Sequence, residues 1–108
     1  MKVIKRDGAI ADYDRSKIIM AIEKANAEVP EGDRVSRVQI DAIIDRIEQT
    51  AARRERILVE DIQDLVEQGL SEEGKFILAK TYIIYRYTRA LVRKANTTDE
   101  SILSLLRN

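Results

Sequence analysis

Three cations near the start of the chain have the types and spacing of an anion site. Lys5 and Arg6 stand beside Asp7-Gly8, a tight-turn signal, and Lys17 falls one turn into an amphipathic segment. A helix N-terminus repels cations. A lysine there therefore matters most when a phosphate sits among the free backbone N–H groups and faces the ammonium as well. Without such a ligand the same residues read as solvated surface charges. The P-loop and dinucleotide glycine patterns are absent. The 108 residues contain no histidine and no cysteine, which excludes disulfides, structural zinc sites, thiol nucleophiles and a histidine base. No paired carboxylates, nucleophile with a base, or metal cluster emerges, so the chain is not expected to be an enzyme by itself.

The 19 basic and 19 acidic residues cancel, but they are segregated. Between Ile57 and Gly74 stand Glu60, Asp61, Asp64, Glu67, Glu72 and Glu73 with no base; between Lys75 and Lys94 stand Lys75, Lys80, Arg86, Arg89, Arg93 and Lys94 with no acid. Two readings are open. The segments are antiparallel neighbours of complementary charge, or some of the bases converge on a phosphate-bearing ligand.

The elements that must position these residues follow from pattern. Residues 1–6 alternate as a short strand, with Val3 and Lys5 on one face and Ile4 and Arg6 on the other. Asp7-Gly8 reads as a two-residue hairpin loop, returning through Ala9 to Tyr13. Asp14 is placed to cap a helix from Arg15 to about Ala27, which Pro30-Glu31-Gly32-Asp33 ends. Ser36 and Gln39 form a capping box for a second helix, with Val35 and Ile40 as the hydrophobic staple. Ile40, Ile43, Ile44, Ile47 and Ala51 form its apolar stripe. Ile57 to Val59 suits a third small strand, Glu60 to Leu70 a third helix, and Glu72 to Arg93 a longer fourth helix capped by Ser71. Phe76, Ile77, Ala79, Ile83, Ile84, Tyr87 and Leu91 make that helix apolar over a wide face, as for a central helix, and Tyr85 is the tyrosine expected to be exposed or at an interface. A break is expected at Ala95 to Asp99, followed by a short amphipathic run to Asn108. The predicted class is α+β, a small hairpin-based three-stranded sheet on about four helices. No 18-residue apolar run could span a bilayer and no signal-like start is present, so a cytoplasmic location is expected.

The run Val3-Ile4-Lys5-Arg6-Asp7-Gly8, continued by Tyr13-Asp14-Arg15-Ser16-Lys17-Ile18 and Ala21-Ile22, resembles the opening of the ATP-cone domain. Ile62 to Val66 and Ala79-Lys80-Thr81-Tyr82-Ile83-Ile84-Tyr85-Arg86 are similar to its later parts, in order over about residues 2–92. The stretch Arg89 to Asn96, followed by Thr97 to Ile102, resembles the junction after the cone in anaerobic, glycyl-radical ribonucleoside-triphosphate reductases. Such enzymes are large, and this chain cannot contain their radical glycine and substrate cysteines. The resemblance therefore implies a regulatory domain at 1–94, with 95–108 as a linker into the catalytic domain. Aerobic reductase large subunits and a bacterial repressor of reductase genes also carry cones; the repressor has a cysteine-rich zinc ribbon, and this chain has no cysteine.

The resemblance implies a site for ATP or dATP between sheet and helices, with magnesium arriving on the triphosphate. Val3, Lys5 and Arg6 would form the first wall with phosphate or ring contacts, Lys17 would take phosphates, and Ile18 would pack by the nucleoside. Val59, Ile62 and Gln63 fall where base and sugar are contacted, and Arg86 or Arg89 would close the phosphate side. Val59 stands where some members have threonine, and Gln63 where some have histidine. The implied function is allosteric control of overall reductase activity, with partners in the catalytic domain and other subunits and none in membranes. The alternatives are a nucleotide-responsive transcriptional regulator and a non-catalytic helical interaction module. Zero net charge and the acidic third helix argue against nucleic acid as a partner.

Overall fold

The computed structural model describes the backbone of residues 1–107 and the side chains of residues 1–92. Its α+β fold packs a three-stranded mixed sheet against four helices. Strands β1 (Lys2–Ile4) and β2 (Ile10–Asp12) pair antiparallel, with Val3 opposite Ala11. Strand β3 (Arg56–Leu58) pairs parallel to the other edge of β1, Val3 opposite Ile57, giving the order β2-β1-β3. The hairpin is looser than a two-residue loop. The Gly8 N–H donates to the Lys5 carbonyl at 3.0 Å, Lys5 N–H to the Ala9 carbonyl at 2.8 Å, and Gly8 has φ of 87°. This is the longer loop in which a glycine at positive φ follows the turn. Asp7 uses its carboxylate rather than its backbone to shape the turn, accepting from the Ala9 N–H at 2.9 Å.

Helix α1 (Arg15–Ala27) starts at Asp14, whose Oδ1 accepts from the Ser16 N–H at 3.0 Å. Helix α2 (Arg37–Ala51) has the expected capping box: Ser36 Oγ accepts from the Gln39 N–H, and Gln39 Oε1 from the Ser36 N–H. Val35 and Ile40 are both buried. Helix α3 (Val59–Glu72) follows β3 directly, and its first-turn acids Glu60 and Asp61 suit the helix dipole.

Helix α4 (Phe76–Arg107) departs from expectation at both ends. Ser71 does not cap it. Gly74, at φ of 74°, closes α3 instead: the Gly74 N–H donates to the Ser71 carbonyl and the Lys75 N–H to the Leu70 carbonyl, a Schellman closure. The helix then runs through Ala95 to Asp99 without the expected break, because none of these residues is a glycine or proline that would force one. The side chains of Arg93 and Lys94, and the apolar run beyond them, lie outside the described residues.

The core is aliphatic, built on Ile22, Ile40, Ile43, Ile44, Val66, Leu70 and Leu78, and among the described residues it includes no polar or charged one. Among the described residues, one face of α4 joins it, through Leu78, Ala79 and Tyr82. Phe76, Ile77, Ile84, Tyr87 and Leu91 point outward, so the wide apolar surface of this helix is not all core. The exposed tyrosine is Tyr87 rather than Tyr85, which is partly covered and lies under the Lys24 ammonium at 5.9 Å.

Candidate functional site

Two hollows meet between the hairpin and helices α1, α3 and α4. The first, about 170 Å³, is walled by Val3, Lys5, Ala11, Tyr13, Lys17, Ile18, Val59 and Ile62. The second, about 300 Å³, runs outward past Arg6, Met20, Lys24, Tyr85, Arg86 and Arg89. Lys17, Ala21, Val59, Gln63 and Tyr82 border both, so the two form one continuous cleft. Together they fall in the usual range of small-molecule pockets, about 300–1,000 Å³.

Local structure explains the lining. Strand alternation puts Val3 and Lys5 on the cleft side of β1, and the parallel pairing of β1 with β3 delivers Val59, at the first turn of α3, to the same place. Ile18 and Ile62 are buried core residues whose edges also form the wall. Ala11 and Ala21, with one-carbon side chains, leave space where larger residues would fill it. The inner hollow is thus mainly apolar, with Lys5, Asp12, Asp14 and Lys17 also on its lining, and the outer one is rimmed by cations.

Those cations differ in how far they are already satisfied. Lys5 and Lys17 make no ion pair or side-chain hydrogen bond among the described residues, and both are exposed toward the cleft. Arg6 reaches α3, with Nε 3.5 Å from Glu60 Oε1 and Nη2 donating to Gln63 Oε1 at 3.3 Å. Arg86 is held by two carboxylates of α3, Asp64 at 2.9 Å and Glu67 at 2.7 Å, with its side chain only 16% exposed. Its charge is therefore largely balanced. Arg89, one turn further along, is exposed and makes no ion pair among the described residues. The Arg86 pairs also show that the acidic third and basic fourth helices are charge-complementary neighbours, while Arg89 of the same basic segment lines the cleft.

All ten residues singled out from sequence, Val3, Lys5, Arg6, Lys17, Ile18, Val59, Ile62, Gln63, Arg86 and Arg89, line this cleft. Among the lining residues that sequence reasoning missed are Tyr82, Ala21 and Lys24. Tyr82 lies one turn before Arg86 and Ala21 one turn after Lys17, so helical spacing from the two cations could have found both. Burial pushes the Tyr82 phenol up to about 12. The Asp14 carboxyl is held below the usual carboxylate range by hydrogen bonds from the Ser16 hydroxyl and backbone N–H, so the cap stays anionic. A larger, shallower hollow of about 650 Å³ lies by Met1, Lys2, Glu48 and residues 52–55, and sequence did not single it out. Tyr13 borders it as well as the cleft; its buried hydroxyl has no partner at hydrogen-bonding distance, and burial followed by the nearby Glu48 carboxylate raises its pKa.

No group of three or more metal-ligating side chains is assembled among the described residues. No helix among them is long and apolar enough to cross a membrane.

The model of the ATP cone domain matches residues 1–91. The chain belongs to the ATP cone family. It is therefore a regulatory, non-catalytic module of the adenine-nucleotide-binding type. It is 37% identical over 99 residues to the vitamin B12-dependent ribonucleoside-diphosphate reductase of Thermoplasma acidophilum, covering 86% of this chain and 12% of that protein. It is also 37% identical over 110 residues to the ribonucleoside-diphosphate reductase subunit alpha of Chlamydia trachomatis, covering 94% of the chain and 10% of the relative. The transcriptional repressor NrdR of Acidovorax is 34% identical over 86 residues, covering 78% of the chain and 55% of the repressor. The cone thus spans about a tenth of the length of the two reductases. These relatives tie it to the large subunits of ribonucleotide reductases in general, and not specifically to the anaerobic glycyl-radical type that the Arg89–Ile102 stretch suggests.

Proposed function

We propose that this cone binds ATP and dATP in the cleft and that occupancy sets the overall activity of a ribonucleotide reductase, with dATP as the inhibitory signal. The observation that carries this reading is the convergence of a mainly apolar hollow and a cation-rimmed one on shared Lys17 and Gln63. The adenosine fits the inner part, against Val3, Ile18, Val59 and Ile62. The triphosphate lies outward, with Lys17 and Arg89 as cations whose charge is not already balanced within the described residues, Arg86 as a paired neighbour, and Lys5 on the inner wall beside Lys17. Magnesium comes with the triphosphate. Control needs no covalent step; ATP and dATP need only differ in affinity for two arrangements of the parent protein.

The unit that binds nucleotide is residues 1–94, and α4 carries the signal onward toward a catalytic domain in the cytoplasm. Its outward Phe76, Ile77, Ile84, Tyr87 and Leu91 supply an apolar surface for that domain or another subunit. The junction resemblance favours a glycyl-radical parent, which the sequence of the full-length protein tests directly. Calorimetry of the chain with ATP and dATP tests the binding itself. Saturable heat at sub-millimolar nucleotide is the expected result, and no binding of either at millimolar concentration overturns the reading. The similarity to a repressor supports a second reading, a nucleotide-responsive transcriptional regulator, for which salt-sensitive binding to duplex DNA is the deciding measurement.

A further inference from the structure

The sheet has two faces, and the cleft uses one. Val3, Ala11 and Ile57 lie opposite one another across the three strands and turn inward, to the cleft wall or the core. Alternation sends their strand neighbours to the other face. There the register aligns two cross-strand rows: Ile10, Ile4 and Leu58, and beside it Asp12, Lys2 and Arg56. Ile10 is 51% and Leu58 48% exposed, and Ile4 between them is half-buried. The second row is ordered by charge. Asp12, on the β2 edge, also borders the inner hollow, but its side chain is 83% exposed and pairs with Lys2 on this outer face. Arg56, on the β3 edge, is exposed and makes no ion pair among the described residues.

We infer that this outer face is a contact between two copies of the chain, packed sheet to sheet. A two-fold axis running along β1, midway between the facing sheets, lays the apolar row of one copy on that of the other. The same rotation exchanges the edges, so β2 of each copy faces β3 of the other, and Asp12 of each meets Arg56 of the other. The charge order is thus complementary to itself under the symmetry that dimers use most. The two Lys2 ammoniums fall near the axis, each turned to its own Asp12. Aligned packing of two sheets then covers the row that is open among the described residues. Three strands of three residues offer a face of roughly 14 by 10 Å, far short of the about 800 Å² per partner of a stable dimer. The contact is therefore weak, with a dissociation constant on the order of 0.1–1 mM. It does not depend on the nucleotide reading, because the apolar row points away from the cleft.

Sedimentation equilibrium of the full chain, from about 0.02 to 2 mM, tests this. The unaltered chain is expected to show a monomer–dimer equilibrium within that range, and I10K/L58K to weaken it at least tenfold. R56D alone opposes Asp12 to a second carboxylate, and D12R alone opposes Arg56 to a second guanidinium, so each weakens self-association about fivefold or more. An equimolar mixture of R56D and D12R pairs opposite charges at both edges and is expected to associate about as well as the unaltered chain. Unfolding cannot imitate that recovery. I84E, on the exposed face of α4, leaves the equilibrium unchanged. A monomer throughout the range overturns the inference. Association that survives I10K/L58K but is lost in I84E overturns it as well, and moves the contact to α4. A mixture that associates no better than its separate components overturns the face-to-face arrangement.

Discussion

Small side chains do opposite things in two regions of this molecule. Where α2 crosses α3, Gly69 lies against the buried Ile43, and a Cβ at Gly69 would stand 2.7 Å from Ile43 Cγ2. The missing atom is replaced by a neighbour's methyl, and the helices approach closely there. In the cleft, Ala11 and Ala21 also remove atoms, but no neighbour moves in, and the space stays open between the hairpin and α1. The core uses smallness to pack tightly. The cleft uses it to leave room beside lysines without ion-pair partners in the described structure. Stability and binding should therefore respond to different substitutions.

The largest separation is expected from Ile44→Ala, at a fully buried site. It should cost about 2–5 kcal/mol in urea unfolding, with nucleotide affinity of the folded fraction unchanged. Lys17→Ala should do the reverse, weakening ATP by tenfold or more, the loss of a charge-assisted hydrogen bond, with unfolding free energy within about 0.5 kcal/mol of the parent. Equal loss of stability in Lys17→Ala would merge the two regions into one. Ala21→Leu should weaken ATP at least as much by filling the open space, and a melting temperature within a few degrees of the parent would show that the space is not structural.

The alkaline limb comes next. Because burial raises the Tyr82 pKa from 10.0 to about 12, the folded state holds the phenol protonated more firmly than the unfolded chain does. Its contribution is complete below pH 10 and is lost as pH rises toward about 12, a total on the order of 2 kcal/mol. Thermal melts from pH 9 to 12 should show that loss, reduced in Tyr82→Phe; a slope unchanged by the substitution would assign it to Tyr13 and other groups. The smallest effect is expected at Gly69→Ala, a net cost of about 1–2 kcal/mol, the clash with Ile43 being partly offset by the better helix propensity of alanine.

Much of the local structure is legible from single residues. Asp14, Ser36 and Gln39 announce the starts of α1 and α2 because capping side chains bond backbone N–H groups two or three residues away. The α2 stripe from Ile40 to Ala51 is buried as its period requires. The errors lie where two signals of equal range compete. Ser71 has the type of an N-cap, but Gly74 can adopt positive φ, so the glycine takes the turn and α4 starts later. Asp7-Gly8 suits a two-residue loop, but the Asp7 carboxylate captures the Ala9 N–H and favours a longer one. The wide apolar face of α4 could not be divided by periodicity, which does not tell a face that meets α1 and α3 from one left exposed among the described residues.

By itself, then, the sequence determined the element types, the caps, the charge segregation and, through its family resemblance, ten residues that line the cleft. These depend on neighbours within a turn or two, or on motif order along the chain. Tertiary structure alone decided which of those residues remain available. It placed Arg86 between Asp64 and Glu67, tied Arg6 to Gln63 across 57 positions, left Lys5 and Lys17 facing the cleft, and brought Tyr82 into it. The physical reason is that the partner of a charged or amide group is set by distances across the fold. Arg6 and Gln63 meet only because β3 pairs parallel to β1 and delivers the first turn of α3 beside the hairpin.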